Sequence, residues 1–312
     1  MKRRFLIPGL AVMLGMTGCS IRKFAINKIG SAIASGGSSY TSDNDVELVA
    51  GALPFAIKLV EGMIADVPRN RDLRFAAAQA ITSYAYLVVQ QELDHGQDLS
   101  FDQREALRRR ARRLYLRANA HALAGLEASH PGFKSQFEDD PQRATRVLRK
   151  NEVELVYWTA ASLGLAISAS RDDVDLIGRI PQVEALLDRA LALDEGWNLG
   201  ALHEFEIVLA GAKPGSVDYT AVQRHFERAL ALSNGKSASL YVTYAEAVFE
   251  PQQKRNEFQE MLERAFRASG QDAGGLNLTN ALAERRATWL KERIDDLILN
   301  TEQNGLTGKE NP

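Results

Sequence analysis

Residues able to do chemistry are few in this chain of 312 residues. His203 and Glu204 are adjacent and stand near Trp197. A histidine beside a carboxylate has the composition of an acid–base pair. Such neighbours more often form a buried hydrogen bond or a wet edge. Ser20, Ser83 and Ser162 lie in no nucleophile elbow, and no glycine-rich phosphate loop occurs. His95, His121, His130, His203 and His225 show no paired metal-ligand spacing, and the single cysteine excludes a cysteine-clustered zinc. Glu138-Asp139-Asp140-Pro141 lacks the glycine and closing glutamate of a calcium loop, so it reads as a turn with a helix starting at Pro141. The expectation is therefore a protein without metal, cofactor or catalytic residue. Aromatic pairs are the better candidates: Tyr84 with Tyr86, Tyr157 with Trp158, and Tyr241 with Tyr244, the last of which share a helix face at i, i+3. An aromatic ring with a polar tip suits a ligand cavity or a partner groove. Ordinary packing between helices outweighs that reading for any one of them.

The lone cysteine is Cys19. Ahead of it stand Lys2-Arg3-Arg4, an apolar run from Phe5 to Met16, and Thr17-Gly18. This is the layout of a secretory signal, and the run is too short to span a bilayer. With a cysteine at the cut, the segment resembles the lipobox of bacterial lipoproteins, although Met16 stands where leucine is commoner. The resemblance implies cleavage after Gly18 and acylation of Cys19, which anchors the body at the periplasmic side of a membrane. Ser20, in place of an aspartate, leans toward the outer membrane. A plain signal peptide, or a buried N-terminal helix, with an incidental cysteine is the blander alternative.

Cutting after Gly18 removes three basic residues and no acid, taking the net charge from −2 to −5. That charge does not fit a nucleic-acid surface. With Cys19 acylated no internal disulfide remains, so packing alone must hold the fold. No later stretch reads as long and apolar enough to cross a membrane. Arg108, Arg109, Arg110, Arg112 and Arg113 spread around a helix as a solvated face, with lipid or partner contact as the rarer use.

These residues must be positioned by helices, because helical spacing dominates and alternating β-branched runs are missing. Three stretches superimpose: residues 187–193, 226–232 and 262–268. Their alanines, Ala190, Ala229 and Ala265, fall 39 and 36 residues apart. Such periods mean stacked helical pairs, each small alanine letting a neighbour approach closely. The copies look like the second helix of a tetratricopeptide repeat (TPR), with an earlier copy at Ala56, Val60, Met63 and Pro68. First helices are expected over 72–91, 197–209 and 237–249. Residues 101–127 form a long basic helix and 152–169 an apolar central one. Residues 276–300 form a closing helix with Arg285, Arg286, Lys291 and Glu292 on its wet side, the polar cap a solenoid needs. The fold class is all-α, a TPR-like stack of helical hairpins. Its divisions are a signal at 1–18, a lipidated tether at 19–44, the helical body at 45–301 and a tail at 302–312.

Six segments carry a wider resemblance: residues 52–59, 112–118, 157–162, 201–205, 241–247 and 284–290, in that order. As an ordered set they resemble the TPR-containing T component associated with tripartite ATP-independent periplasmic (TRAP) transporters. The resemblance implies a periplasmic lipoprotein, assembling as a trimer, that docks the transporter's soluble substrate-binding subunit. It implies a passage through the helical body and a hydrophobic or amphipathic organic acid as cargo. Two other readings stand beside it. One is a TPR scaffold for envelope or outer-membrane assembly. The other is an envelope hydrolase, for which no convergent nucleophile and base is found.

Overall fold

A computed structural model describes residues 38–299, apart from 97, 171 and 214, together with Ile26 and Lys28. The expectations for the signal at 1–18, for Cys19, for most of the tether and for the tail at 302–312 lie outside the described residues.

Every regular element among the described residues is a helix. The body begins where Asp45 caps α1, Val46–Asp66, by accepting the Leu48 N–H. A turn holding Pro68 leads to Asn70, which caps α2, Arg71–Tyr84. That helix continues as π-helical turns over Ala85–Gln90 and as α-helix over Gln91–His95. Ser100 and Gln103 form a reciprocal capping box at the start of α3, Phe101–Ser129. The apolar α4, Val153–Ser168, is buried along its length, as expected of a central helix. Then come α5 (Ile180–Asp194), α6 (Ala201–Ala212), α7 (Tyr219–Ser233) and α8 (Ala238–Tyr244). A second π-helical stretch, Ala245–Phe249, extends α8. The last two are α9 (Arg255–Ser269) and α10 (Asn277–Glu292).

The three superimposable stretches lie in α5, α7 and α9, each 15 residues long. Their alanines are 2% exposed or less, and Leu187, Phe226 and Leu262 three positions earlier are buried too. Close approach is explicit in the second copy. A β-carbon on Gly200 would lie 2.9 Å from Ala229 Cα, so only glycine lets the chain pass there.

Two large apolar clusters form the core. One gathers Leu126, Val156, Leu163, Leu186, Leu187 and Leu202; the other Ile207, Phe226, Phe258, Leu262 and Leu290. A third joins the chain's two ends: Val46, Val49 and Leu53 of α1 pack with Leu87 and with Leu278 and Leu282 of α10. Arg285 adds a two-pronged ion pair to Glu47 at 2.6 and 2.7 Å.

This closure corrects the picture of a polar end cap. The last helix meets the first, and Arg286 turns inward instead of lying on the wet side. α10 also stops at Glu292, before a separate turn over Ile294–Leu297. The helix expected from Trp197 starts only at Ala201, because Asn198, Leu199 and Gly200 all have positive φ. In α1 the buried stripe is Leu53, Ile57, Val60 and Ile64, so Ala56 and Met63 of the first supposed repeat copy are only half-buried. α1 is moreover long and apolar enough to cross a membrane by length and composition, contrary to the reading of the sequence. One side of it is nevertheless packed into the body.

Candidate interior site

The two π-helical stretches place the central side chains. Each opens on the alanine of a similar tripeptide, Ser83-Tyr84-Ala85 or Thr243-Tyr244-Ala245. An extra residue in a helical turn shifts the direction of the side chains beyond it, which is why π turns recur at functional sites. Tyr86 and Glu246 occupy the second position of their respective turns.

Arg286 of α10 reaches this space. It donates to Glu246 Oε1 from Nε at 3.1 Å and from Nη2 at 2.5 Å, and from Nη1 to His95 Nε2 at 3.1 Å. Its guanidinium lies 4.5 Å from the centre of the Trp289 ring, whose N–H has no partner among the described residues. Burial works against the Arg286 charge; Glu246 outweighs it and holds the guanidinium above its ordinary pKa. His95 is pushed down by burial and then by Arg286, so its neutral form accepts the Arg286 proton donor.

Tyr86 keeps 40% of its surface accessible, yet burial drives its phenol up to about 12, with Glu246 and Asp94 adding to the shift. Burial likewise raises Tyr157, and Glu204 and Tyr86 reinforce it. The Tyr157 ring stands 4.7 Å from Trp197 and 6.0 Å from Phe205. Glu204 is raised by burial, while hydroxyls oppose the shift: it accepts from Ser239 at 3.1 Å, Thr243 at 3.3 Å and Ser237 at 3.4 Å. Side chains from α2, α4, α6, α8 and α10 thus gather at one place inside the helical body. A surface cleft of about 410 Å3 lined by Asn44, Gln271, Asp272 and Glu284 lies elsewhere, at the turn into α10.

Of the residues singled out from sequence, Tyr86, Tyr157 and Glu204 gather here. Trp158 meets the Tyr157 ring edge-on at 5.5 Å and packs on the core. Tyr244 stacks on Phe226 at 4.1 Å, and Tyr241 donates to Gly235 O; both are buried packing residues. His203 and Glu204 do not form an acid–base pair, since neighbours on a helix point apart. His203 instead bonds Glu195 Oε1 at 3.1 Å and His225 Nδ1 at 2.9 Å. Ser162 donates to Trp158 O at 2.7 Å and has no base beside it. Glu246, Arg286, His95 and Trp289 were not singled out as a site. The repeated Tyr-Ala pair at the start of each π turn was the available signal.

The arrangement offers a held guanidinium, aromatic walls and two carboxylates. That set can bind a molecule with an apolar part and a charged end. The sequence profile of the TRAP transporter T-component family matches residues 42–298. The chain belongs to that family. It is also 26% identical over 302 residues to an uncharacterised protein of Treponema pallidum (strain Nichols), covering 90% of this chain and 94% of the relative. Membership ties this T component to a transport role, in association with a TRAP transporter at a bacterial membrane. The matched residues include every wall of the interior described above.

Proposed function

We propose that this T component is a non-catalytic, periplasm-facing lipoprotein that docks the substrate-binding subunit of a TRAP transporter and assists uptake of an organic ligand. The family match across the folded body carries this reading. The helical pairs act as a TPR-like scaffold, secreted by the signal at 1–18 and anchored through acylated Cys19, with the outer membrane favoured by Ser20. The working unit is a homotrimer. The ligand is an amphipathic organic acid: its carboxylate meets Arg286, and its apolar part meets Tyr86, Tyr157 and Trp289. The inward-facing guanidinium and the aromatic walls support this class.

Capture of the cognate substrate-binding subunit by the acylated chain tests the reading. Co-purification at a fixed ratio is expected; a cognate subunit that stays unbound at high micromolar concentration overturns it. Mass spectrometry of the N-terminal peptide tests the anchor separately, and free Cys19 would refute it.

A further inference from the structure

The outward face of α1 is apolar where a surface helix should be polar. Leu48, Ala52, Phe55, Leu59 and Gly62 follow one another at four- and three-residue steps, all on the side opposite the buried stripe. Phe55 is 74% exposed and Leu48 62%. No charge interrupts this face between Leu48 and Gly62. An exposed apolar stripe of this kind marks an interaction surface.

Its flank is basic. Lys58 stands on α1 itself, and Arg110, Arg113 and Arg117 share one side of α3 at i, i+3, i+7, with Arg117 reaching α1. Two contacts tie that ridge to its neighbours: Arg117 pairs with Glu61 of α1, and Arg110 donates to the hydroxyl of Tyr84, at the end of α2, at 2.7 Å. Tyr84 in turn packs against the cluster that holds Val49 and Leu53 of α1. Glu61 also takes Lys58 at 3.2 Å and is the acid on this flank; Glu47 is paired with Arg285. Arg113 is exposed. Two copies paired through this face about a two-fold axis would bring cations against cations, whereas anionic headgroups neutralise them.

Chain length sets the distance to a bilayer. Ile26 packs against the cluster of Ile57, Val60 and Ile64, the inner side of α1. Six residues, and so seven chain steps, separate Cys19 from Ile26, at most ~25 Å when fully extended. An acyl chain at Cys19 therefore keeps α1 close to the membrane surface.

We infer that the outer face of α1, from Leu48 to Leu59, lies in the interface of an anionic phospholipid bilayer, with Lys58 and the arginine ridge of α3 on the headgroups. Apolar burial plus basic attraction is the energetic basis of such binding. The contact orients the body, so that the same side always faces the membrane. The inference rests on the anchor at Cys19 and extends it.

Site-specific fluorescence tests it. Acylated Cys19 leaves an introduced thiol as the single reactive one. Phe55→Cys and, as a control on an exposed connection, Val147→Cys are labelled with an environment-sensitive dye in the full acylated chain. The chains are placed in phosphatidylglycerol–phosphatidylethanolamine vesicles carrying doxyl-labelled acyl chains. Quenching at position 55 is expected to exceed that at 147 several-fold, and to fall in a Lys58→Glu, Arg113→Glu background or in phosphatidylcholine vesicles. Equal quenching at both positions overturns the inference. So does blue-shifted emission at 55 that persists in detergent and ignores the doxyl lipid, which assigns the face to a second copy. Labelling of the unsubstituted chain refutes the anchor alone; the same comparison in a Cys19→Ser background then decides the contact by itself.

Discussion

Gly200→Ala is the sharpest test of how the helical pairs are fitted together. Gly200 has φ +95, and its added Cβ would meet Ala229 Cα at 2.9 Å and Ala229 O at 3.3 Å. Two penalties follow. The left-handed backbone costs an alanine roughly 1–2 kcal/mol. The clash is with main chain, not with a side chain that can swing aside, so α6 and α7 must separate, and overpacking of this kind costs about 1–3 kcal/mol more. Gly132→Ala isolates the first penalty, because Gly132 has φ +87 but its Cβ would find only the end of Gln136, at 3.5 Å. Urea unfolding of the mature chain, followed by helical circular dichroism, reads the difference. Gly132→Ala should lower the midpoint by roughly 0.5 M, and Gly200→Ala by about 1 M or more, with the slope unchanged. Equal losses at the two glycines would show that the approach of the chain to Ala229 constrains nothing, and the argument from the repeated small residues would fail with it.

Arg286→Ala leaves Glu246 half-buried and unpaired and strips the cation from Trp289; a loss of about 2 kcal/mol in urea unfolding is expected. Arg286→Lys should recover less than half, because a point charge cannot reproduce the fork held by Glu246 and His95. Glu206 is raised to about 7 by burial and then by Asp188, with Lys213 opposing. Its folded pKa lies above the unfolded value, so the stability it contributes is present at acid pH and is lost as pH rises toward 7. Glu206→Gln should therefore stabilise the chain at pH 8, by about 1–2 kcal/mol after allowance for partial exposure, and do nothing at pH 4. His203 and His225 are both lowered, first by burial. Their contribution is complete above the unfolded value of about 6.5 and is lost as pH falls below it. Thermal midpoints measured from pH 7 to pH 5 should fall, and His203→Gln should flatten part of that slope; an unchanged slope would contradict the shared proton between the two rings.

Local rules made the helices legible. Ser100, Asp140 and Ser237 stand as caps where polarity first yields to an apolar period, and α3, α8 and the turn at Pro141 begin beside them. The spacing of Ala190, Ala229 and Ala265 located three equal helices, because a close approach repeated at a fixed interval leaves small residues at that interval. What failed was whatever depends on more than one turn of chain. Asn198 and Leu199 adopt left-handed backbone at an ordinary helical composition, so the start of α6 was placed four residues early. α1 is apolar on both sides, and periodicity alone could not say which side was inward; the buried stripe is Leu53, Ile57 and Val60, not Ala56 and Met63.

The interior shows the same limit at larger scale. Its parts stand up to 200 residues apart, from Tyr86 to Arg286, and they meet because α10 returns to α1 through Leu278, Leu282 and the Glu47–Arg285 pair. An arginine on a terminal helix looks solvated as long as the stack is imagined as open. Once the stack closes, Arg286 has to face inward, and an inward guanidinium requires a carboxylate. Glu246 can supply one because the π turn at Ala245–Phe249 redirects it, and Tyr86 is turned toward it by the matching turn in α2. Closure and the two π turns are thus one device: the first brings the ends of the chain together, and the second aims their polar groups into the space that results.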